Sequence, residues 1–267
     1  MAIVEDEALI LRAMRYSDTS RIVIASARLG GIVRLLAKGS RDPKSPFGAS
    51  LEPLTRSAIV YYRKRDRELH LLRSAMVVEP HLGLLRCTRA YHLAHAAAEF
   101  ALRVVPGEEP NPEIHDLLLR YLAHLARLPG RPASAAVLKR LQLRIAALLG
   151  YEPRLGGCAR CGGAAESPSG FGVAEGGLLC RRCRPEGERL ALGVEALDRL
   201  RALASPERTP RPAAQLPPEA ARQMERVIES FLRYHLPAYS GLRALKSLDD
   251  WTLLVGAGGE REAPAAT

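Results

Sequence analysis

The sequence predicts an α+β fold in which strands come first and helices follow, with a small cysteine module set into the helical part. Three observations carry this. Residues 1 to 79 break into five short, β-branched or aliphatic runs separated by turn residues. Around Glu79-Pro80 the hydrophobic period changes from two to 3.6. Further on, Cys158-Ala-Arg-Cys161 is followed after eighteen residues by Cys180-Arg-Arg-Cys183, the spacing of a four-thiolate site.

The strands are expected near residues 8 to 14, 20 to 27, 31 to 38, 56 to 63 and 68 to 76, with Gly30-Gly31 turning the second into the third. Five strands in about eighty residues are too few for a two-sheet sandwich, so the expected form is a small closed barrel of the OB type, with an SH3-like barrel as competitor. In the third strand Val33, Leu35 and Ala37 point one way and Arg34 and Lys38 the other, because side chains alternate. One face can therefore be core and the other a phosphate track. The stretch Gly39 to Ser50, with two prolines, two glycines and three serines, reads as an exposed loop carrying Arg41 and Lys44. The last hairpin is tipped by Arg63, Lys64, Arg65 and Arg67, and the loop between the fourth and fifth strands is a usual nucleic-acid contact of OB folds. Each cluster alone reads as solvated turn charge; three on one small sheet point to binding. Aromatics are sparse, and Tyr61 and Tyr62 alternate, so at most one can share the basic side. Backbone electrostatics with little sequence preference is the expectation.

Helices are expected at 81 to 105, 112 to 128, 134 to 149, 192 to 204 and 219 to 236. In the second, Ile114, Leu117, Leu118, Tyr121, Leu122, Leu125 and Leu128 make one apolar stripe, and Pro112 and Pro132 sit at starts. Cys87, ahead of Tyr91, His92 and His95, lacks a fourth ligand and reads as a packed helical residue. Residues 205 to 218 contain five prolines and read as a linker.

Two CxxC turns facing each other close a tetrahedron around Zn²⁺ with every position filled, which makes Cys158, Cys161, Cys180 and Cys183 a structural site for one zinc per chain. Four thiolates leave a charge of about −2, which Arg160, Arg181, Arg182 and Arg184 can offset. A disulfide framework fits less well: the N-terminus has acids where an export signal needs a basic start. A thioredoxin-like motif uses one CxxC beside a βαβ unit, not two among glycines.

The 267 residues carry 39 Lys+Arg against 29 Asp+Glu, which implies an acidic partner, nucleic acid first and a membrane surface second. The charge is uneven. Residues 1 to 79 hold 14 Lys+Arg against 9 Asp+Glu, residues 80 to 150 hold 9 against 5, and the remainder is nearly balanced. No apolar run reaches membrane-spanning length, so a cytoplasmic protein with no membrane partner is expected. There is no Gly-x-x-x-x-Gly-Lys-Ser/Thr loop, no Gly-x-Ser-x-Gly elbow, no His-Glu-x-x-His and no acid cluster for paired Mg²⁺. The expectation is a protein that is not an enzyme.

Several segments together resemble the RecO family of bacterial recombination mediators over nearly the whole chain. They are Arg15-Tyr16-Ser17-Asp18-Thr19-Ser20-Arg21-Ile22-Val23, Gly31-Ile32-Val33, Ala37-Lys38-Gly39-Ser40-Arg41, Leu51-Glu52-Pro53, Gly150-Tyr151-Glu152-Pro153, Gly176-Gly177-Leu178-Leu179-Cys180 and Leu245-Lys246-Ser247-Leu248. The resemblance implies an OB-fold DNA-binding domain over 1–79 and a helical domain over 80–155 and 191–250 bearing a zinc-binding module at 156–190; the tail, 251–267, is expected from its composition to be disordered. It implies DNA repair and recombination by a mediator that binds single- and double-stranded DNA and anneals complementary strands. It further implies association with RecR and with the acidic C-terminal tail of single-strand-binding protein, help in loading RecA at gaps, and work at the bacterial nucleoid. DNA contact is carried onto Arg34, Lys38, Arg41 and Lys44; the hairpin tip rests on charge alone. Arg120, Arg140 and Arg144 are candidates for the acidic tail. Two other readings are a zinc-ribbon OB-fold RNA-binding or transcription-type factor, and a scaffold whose charge serves solubility.

Overall fold

In the computed structural model of this chain, residues 2–64, 67–127, 135–165, 169–183, 190–205 and 216–246 are described. Five strands, β1 (Ala2–Arg15), β2 (Arg21–Ala27), β3 (Gly31–Ala37), β4 (Arg56–Arg63) and β5 (Leu69–Glu79), close into a barrel in the order β1-β2-β3-β5-β4. Every pairing is antiparallel except β3 with β5. This is the expected OB-type closure, and no SH3-like arrangement is present in it. The strands fall where the alternation placed them, but β1 starts six residues early. Its acidic start, Glu5-Asp6-Glu7, pairs with Val60, Ile59 and Ala58 of β4, and three consecutive acids hide the period-two signal there.

The barrel is filled from alternate positions: Ala8, Ile10, Val23, Ala25, Val33, Leu35, Ile59, Tyr61 and Leu72, with Phe47 and Leu51 of the β3–β4 connection. On β1 the alternation changes parity. The register slips between Ile10 and Arg12, so Leu11 is a bulge residue. Val4, Ala8 and Ile10 face inward before it and Ala13 after it. Arg12 and Met14 therefore point outward.

The chain leaves β5 through His81, whose backbone sits in the left-handed region at φ 48. A buried hydrogen bond of its Nδ1 to the Leu54 carbonyl at 2.9 Å holds it there. A 3₁₀ turn, Leu82–Arg86, and an extended Cys87 follow, and only then does α1 (Thr88–Val104) begin. The continuous helix expected over 81 to 105 is thus corrected: Pro80 and the anchored His81 delay it by about two turns. Cys87 is half-buried at the helix N-cap rather than within a helical face. Helix α2 (Pro112–Ala126) is capped by the Asn111 side chain, which accepts from Ile114 N at 3.0 Å.

Two compact units result, divided between α2 and α3. One contains the barrel, α1, α2 and the segment from Leu242; the other is Ala135–Gly241. Within the first, the helical layer covers part of the barrel's outer surface. His115 of α2 is buried, with Nδ1 3.2 Å from Ser26 Oγ on β2, and Asp116 takes two hydrogen bonds from Arg28. The α1–α2 connection runs as a strap against β3: Ile32 N donates to Gly107 O at 2.8 Å. Gly31 makes that approach possible. Its φ is +73, and a Cβ there would lie 2.4 Å from Glu109 O and 2.7 Å from Gly107 O.

The second unit holds α3 (Ala135–Leu148), a three-stranded sheet ordered β7-β6-β8, α4 (Val194–Ala204) and α5 (Pro218–His235). The sheet strands are β6 (Ser169–Gly172), β7 (Gly177–Leu179) and β8 (Leu190–Leu192). Pattern reading does not reveal this sheet, since three- and four-residue strands among glycines carry almost no periodic signal. It packs Phe171 edge-on against Phe231 of α5, ring centroids 6.1 Å apart. No described helix is long and apolar enough to cross a membrane. The expected tail, 251–267, most of the proline linker, Pro132, Leu128, Arg65 and Arg184 lie outside the described residues.

Candidate nucleic-acid face and candidate metal centre

The barrel register decides which outward side chains meet. Arg12, Ile24 and Arg34 form one cross-strand row over β1, β2 and β3, about 10 Å from end to end at ordinary strand spacing. Beside it runs a second, half-buried row: Met14, Ile22, Leu36 and Leu71. This is the outer face over the second and third strands where OB folds take oligonucleotides. Arg12 and the apolar row escaped the sequence reading. Alternation continued from Ile10 through position 12 would bury Arg12, and only the bulge turns it out.

The expected basic residues differ in exposure and in the partners that hold them. Arg34 and Lys38 are exposed on β3 and just after it. Arg34 donates to Glu68 Oε2 at 2.8 Å, which joins the β4–β5 hairpin to β3. Lys44 is exposed on the following loop. Arg41 is exposed on the same loop and is also held by backbone. Its guanidinium donates to the carbonyls of Ser17 and Asp18 at 3.0 and 2.8 Å, and its own N–H bonds Thr19 O. It braces the β1–β2 turn, where Tyr16 is 59% exposed. At the hairpin, Arg63 pairs with Glu108 at 3.3 Å, Lys64 is half-buried and Arg67 exposed. Glu108, from the strap, also meets buried His70 at 2.7 Å, while His70 Nδ1 accepts from Lys64 N and its ring stacks on Tyr61. Both flanks of the hairpin are thereby held by one carboxylate. Of the acidic-tail candidates, Arg120 is exposed on α2, and Arg140 on α3 donates to Ala202 O at 3.1 Å. Burial, and then the neighbouring Arg144, push the Arg140 pKa down.

The cysteine quartet is assembled by local backbone. Cys158 N donates to Gly163 O and Gly162 N to Cys158 O, both at 2.8 Å, closing one knuckle; Cys183 N to Cys180 O closes the other. Strand β7 links them: Ala159 N donates to Leu178 O at 2.7 Å. Gly177 lies so close to Arg154 that an added Cβ would be 2.6 Å from its carbonyl oxygen. The four sulfurs lie within 4.8 Å of one another, and those of Cys161 and Cys180 are 3.8 Å apart. A tetrahedral ion with metal–sulfur bonds of about 2.3 Å puts its sulfurs about 3.8 Å apart, so the quartet fits a single metal ion. Backbone N–H groups of Cys180 and Cys161 aimed at the Cys158 sulfur lower its pKa to about 6, and the Cys183 N–H lowers that of Cys180. Hydrogen bonding of its thiol with the sulfurs of Cys161 and Cys180 pushes Cys183 up to about 12. Arg160 contacts Cys183 O at 3.0 Å and Glu175, clamping the knuckles together. Among the described residues no other group of three or more His, Cys, Asp or Glu side chains gathers this way.

Fold and sites together define an OB-barrel protein whose helical C-terminal region bears a four-cysteine centre. Two family models divide the chain: "Recombination protein O N terminal" matches residues 1–81 and "Recombination protein O C terminal" residues 88–245. The chain is 33% identical over 251 residues to a "DNA repair protein RecO" of Anaeromyxobacter sp. (strain K), covering 93% of this chain and 97% of that one. It is 32% identical over 256 residues to the protein of that name from Streptomyces coelicolor, covering 93% and 100%. The chain belongs to the RecO family of DNA repair proteins.

Proposed function

We propose that this protein is a non-enzymatic recombination mediator that binds single- and double-stranded DNA through the open outer face of the barrel and anneals complementary strands. The observation that supports this is the Arg12–Ile24–Arg34 row on the outer face of β1 to β3, with Lys38 exposed just after β3 and the β4–β5 hairpin joined to Arg34 through Glu68. Cations there neutralise phosphates on two strands and lower the repulsion that opposes pairing. Arg34, Lys38, Lys44, Arg63, Lys64 and Arg67 are the proposed contacts, with Arg65 in the same hairpin. Arg41 contributes by fixing the turn beside them. The half-buried Met14, Ile22, Leu36 and Leu71 offer bases an apolar floor without sequence-specific hydrogen bonds.

The quartet Cys158, Cys161, Cys180 and Cys183 is proposed to hold one Zn²⁺. The ion would supply four strong bonds tying the two knuckles, and no chemistry on substrate. Family membership supports the wider setting at the bacterial nucleoid: work with RecR, capture of the single-strand-binding protein tail, and RecA loading at gaps.

The test is to reverse Arg34, Lys38 and Lys44 together to glutamate and measure oligonucleotide binding and annealing with no nucleotide added. Both should collapse at moderate salt; unchanged binding and annealing refute the reading. Preference for RNA over DNA in the same mobility-shift series favours the RNA-binding alternative. Pull-down with intact and tail-less single-strand-binding protein checks the partner.

A further inference from the structure

Arg34, at the centre of the proposed DNA face, already carries an anion. Glu68 Oε2 is 2.8 Å from its Nη1, and the Glu68 side chain is 83% exposed where that of Arg34 is 47% exposed. A carboxylate on a guanidinium uses the same charge-assisted N–H···O⁻ contact that a phosphate oxygen uses. The arrangement recurs on this barrel: Asp18 on Arg15 at 2.6 Å and Glu52 on Arg21 at 2.8 Å.

We infer that Glu68 is a displaceable phosphate mimic: it occupies Arg34 in the free protein and is exchanged for a DNA phosphate on binding. This rests on the proposed DNA-binding reading and specifies how that face is regulated. Two consequences follow from the geometry. Arg34 is held in its docking orientation before DNA arrives, so little ordering is left to do. Glu68 sits on the hairpin one residue before Leu69, whose β-partner is Arg34, so after exchange the carboxylate stays nearby and can retake the guanidinium as the phosphate departs. A face that grips through exposed Lys38 and Lys44 but exchanges anions at Arg34 holds strands weakly enough to pass them on. Annealing requires that release.

The experiment is a double-mutant cycle on the full-length protein with a labelled single-stranded oligonucleotide, titrated over a range of salt, comparing wild type, Glu68→Gln, Arg34→Gln and the double variant. Thermal melts of all four confirm equal folding, which the exposure of both side chains favours. Glu68→Gln is expected to bind about three- to fivefold more tightly, the scale of one exposed ion pair. Its log K against log salt slope should stay as in wild type, because Arg34 meets one phosphate in both complexes, and strand dissociation should slow. In the Arg34→Gln background the same change should have no effect beyond error. The inference is overturned if Glu68→Gln leaves affinity unchanged, or raises it equally with Arg34 absent, which would make Glu68 a general repulsive charge. If Arg34→Gln alone binds as wild type does, the DNA-binding role of Arg34 fails, and the inference falls with it for that separate reason.

Discussion

Replacing Gly31 with alanine isolates what the strap contributes to the barrel. Two penalties add at this residue. A non-glycine residue at φ +73 costs about 1–2 kcal/mol. A methyl group 2.4 Å from Glu109 O and 2.7 Å from Gly107 O forces the connection outward, at about 1–3 kcal/mol for overpacking. The sum is about 2–5 kcal/mol, and the Ile32–Gly107 hydrogen bond goes with it. Gly39 is the internal control: its φ is +68, yet nothing lies within 4 Å of an added Cβ. Gly39→Ala should therefore cost about 1–2 kcal/mol, the conformational part alone. Urea unfolding of the two variants, read by far-ultraviolet circular dichroism, measures the difference. Equal destabilisation of the two would refute the close contact between strap and barrel.

Other substitutions separate bracing from binding. If Arg41 acts by holding the carbonyls of Ser17 and Asp18, Arg41→Lys should lose DNA affinity as fully as Arg41→Ala; retention by the lysine variant would make it a phosphate contact, and oligonucleotide titration decides. Changing Cys158 and Cys161 to serine should remove one equivalent of zinc by elemental analysis and lower the melting temperature by more than about 5 °C; a metal-free protein melting unchanged would end the zinc reading. His115 supplies a pH test. Burial, as its largest cause, lowers its pKa below 6.5, so the unfolded chain takes up the proton first. Its stabilising contribution is complete above pH 6.5 and is lost as pH falls below that. Glu7, with its pKa lowered below 4.5 chiefly by the Arg56 hydrogen bond, adds a further loss at lower pH still. Denaturation midpoints from about pH 4 to about pH 8 should fall towards acid, less steeply in His115→Asn.

Much of this was legible in the sequence for identifiable reasons. Period-two alternation located all five barrel strands because each has one face in the core, and Cys-x-x-Cys spacing located the quartet because a knuckle is a local structure. What escaped was local irregularity or distant pairing. One surplus residue at Leu11 reversed the face of Arg12. His81 and Cys87 interrupted an apolar run that reads as one helix. Glu108 lies 38 residues from His70 and 45 from Arg63, so no spacing rule connects them. The arginines Arg34, Arg41 and Arg63 looked alike in sequence; their differing anion, carbonyl and strap partners emerge only from the fold.

The surplus residue in the first strand also marks where this barrel tolerates a change of length. Ile10 stays opposite Ala25 and Arg12 opposite Ile24 whether or not Leu11 stands between them. Excising that one codon therefore keeps Ala13 inward and the arginine on the working surface, and forfeits only the burial of a single leucine. The third strand has no such slack, because its pairing with the second runs without interruption from Gly31 to Ala37. Loss of Leu35 would swing Leu36 into the interior, turn Ala37 out and drive Lys38 toward the aliphatic core. A one-residue deletion is therefore expected to be accommodated at the joint in β1 and not within β3.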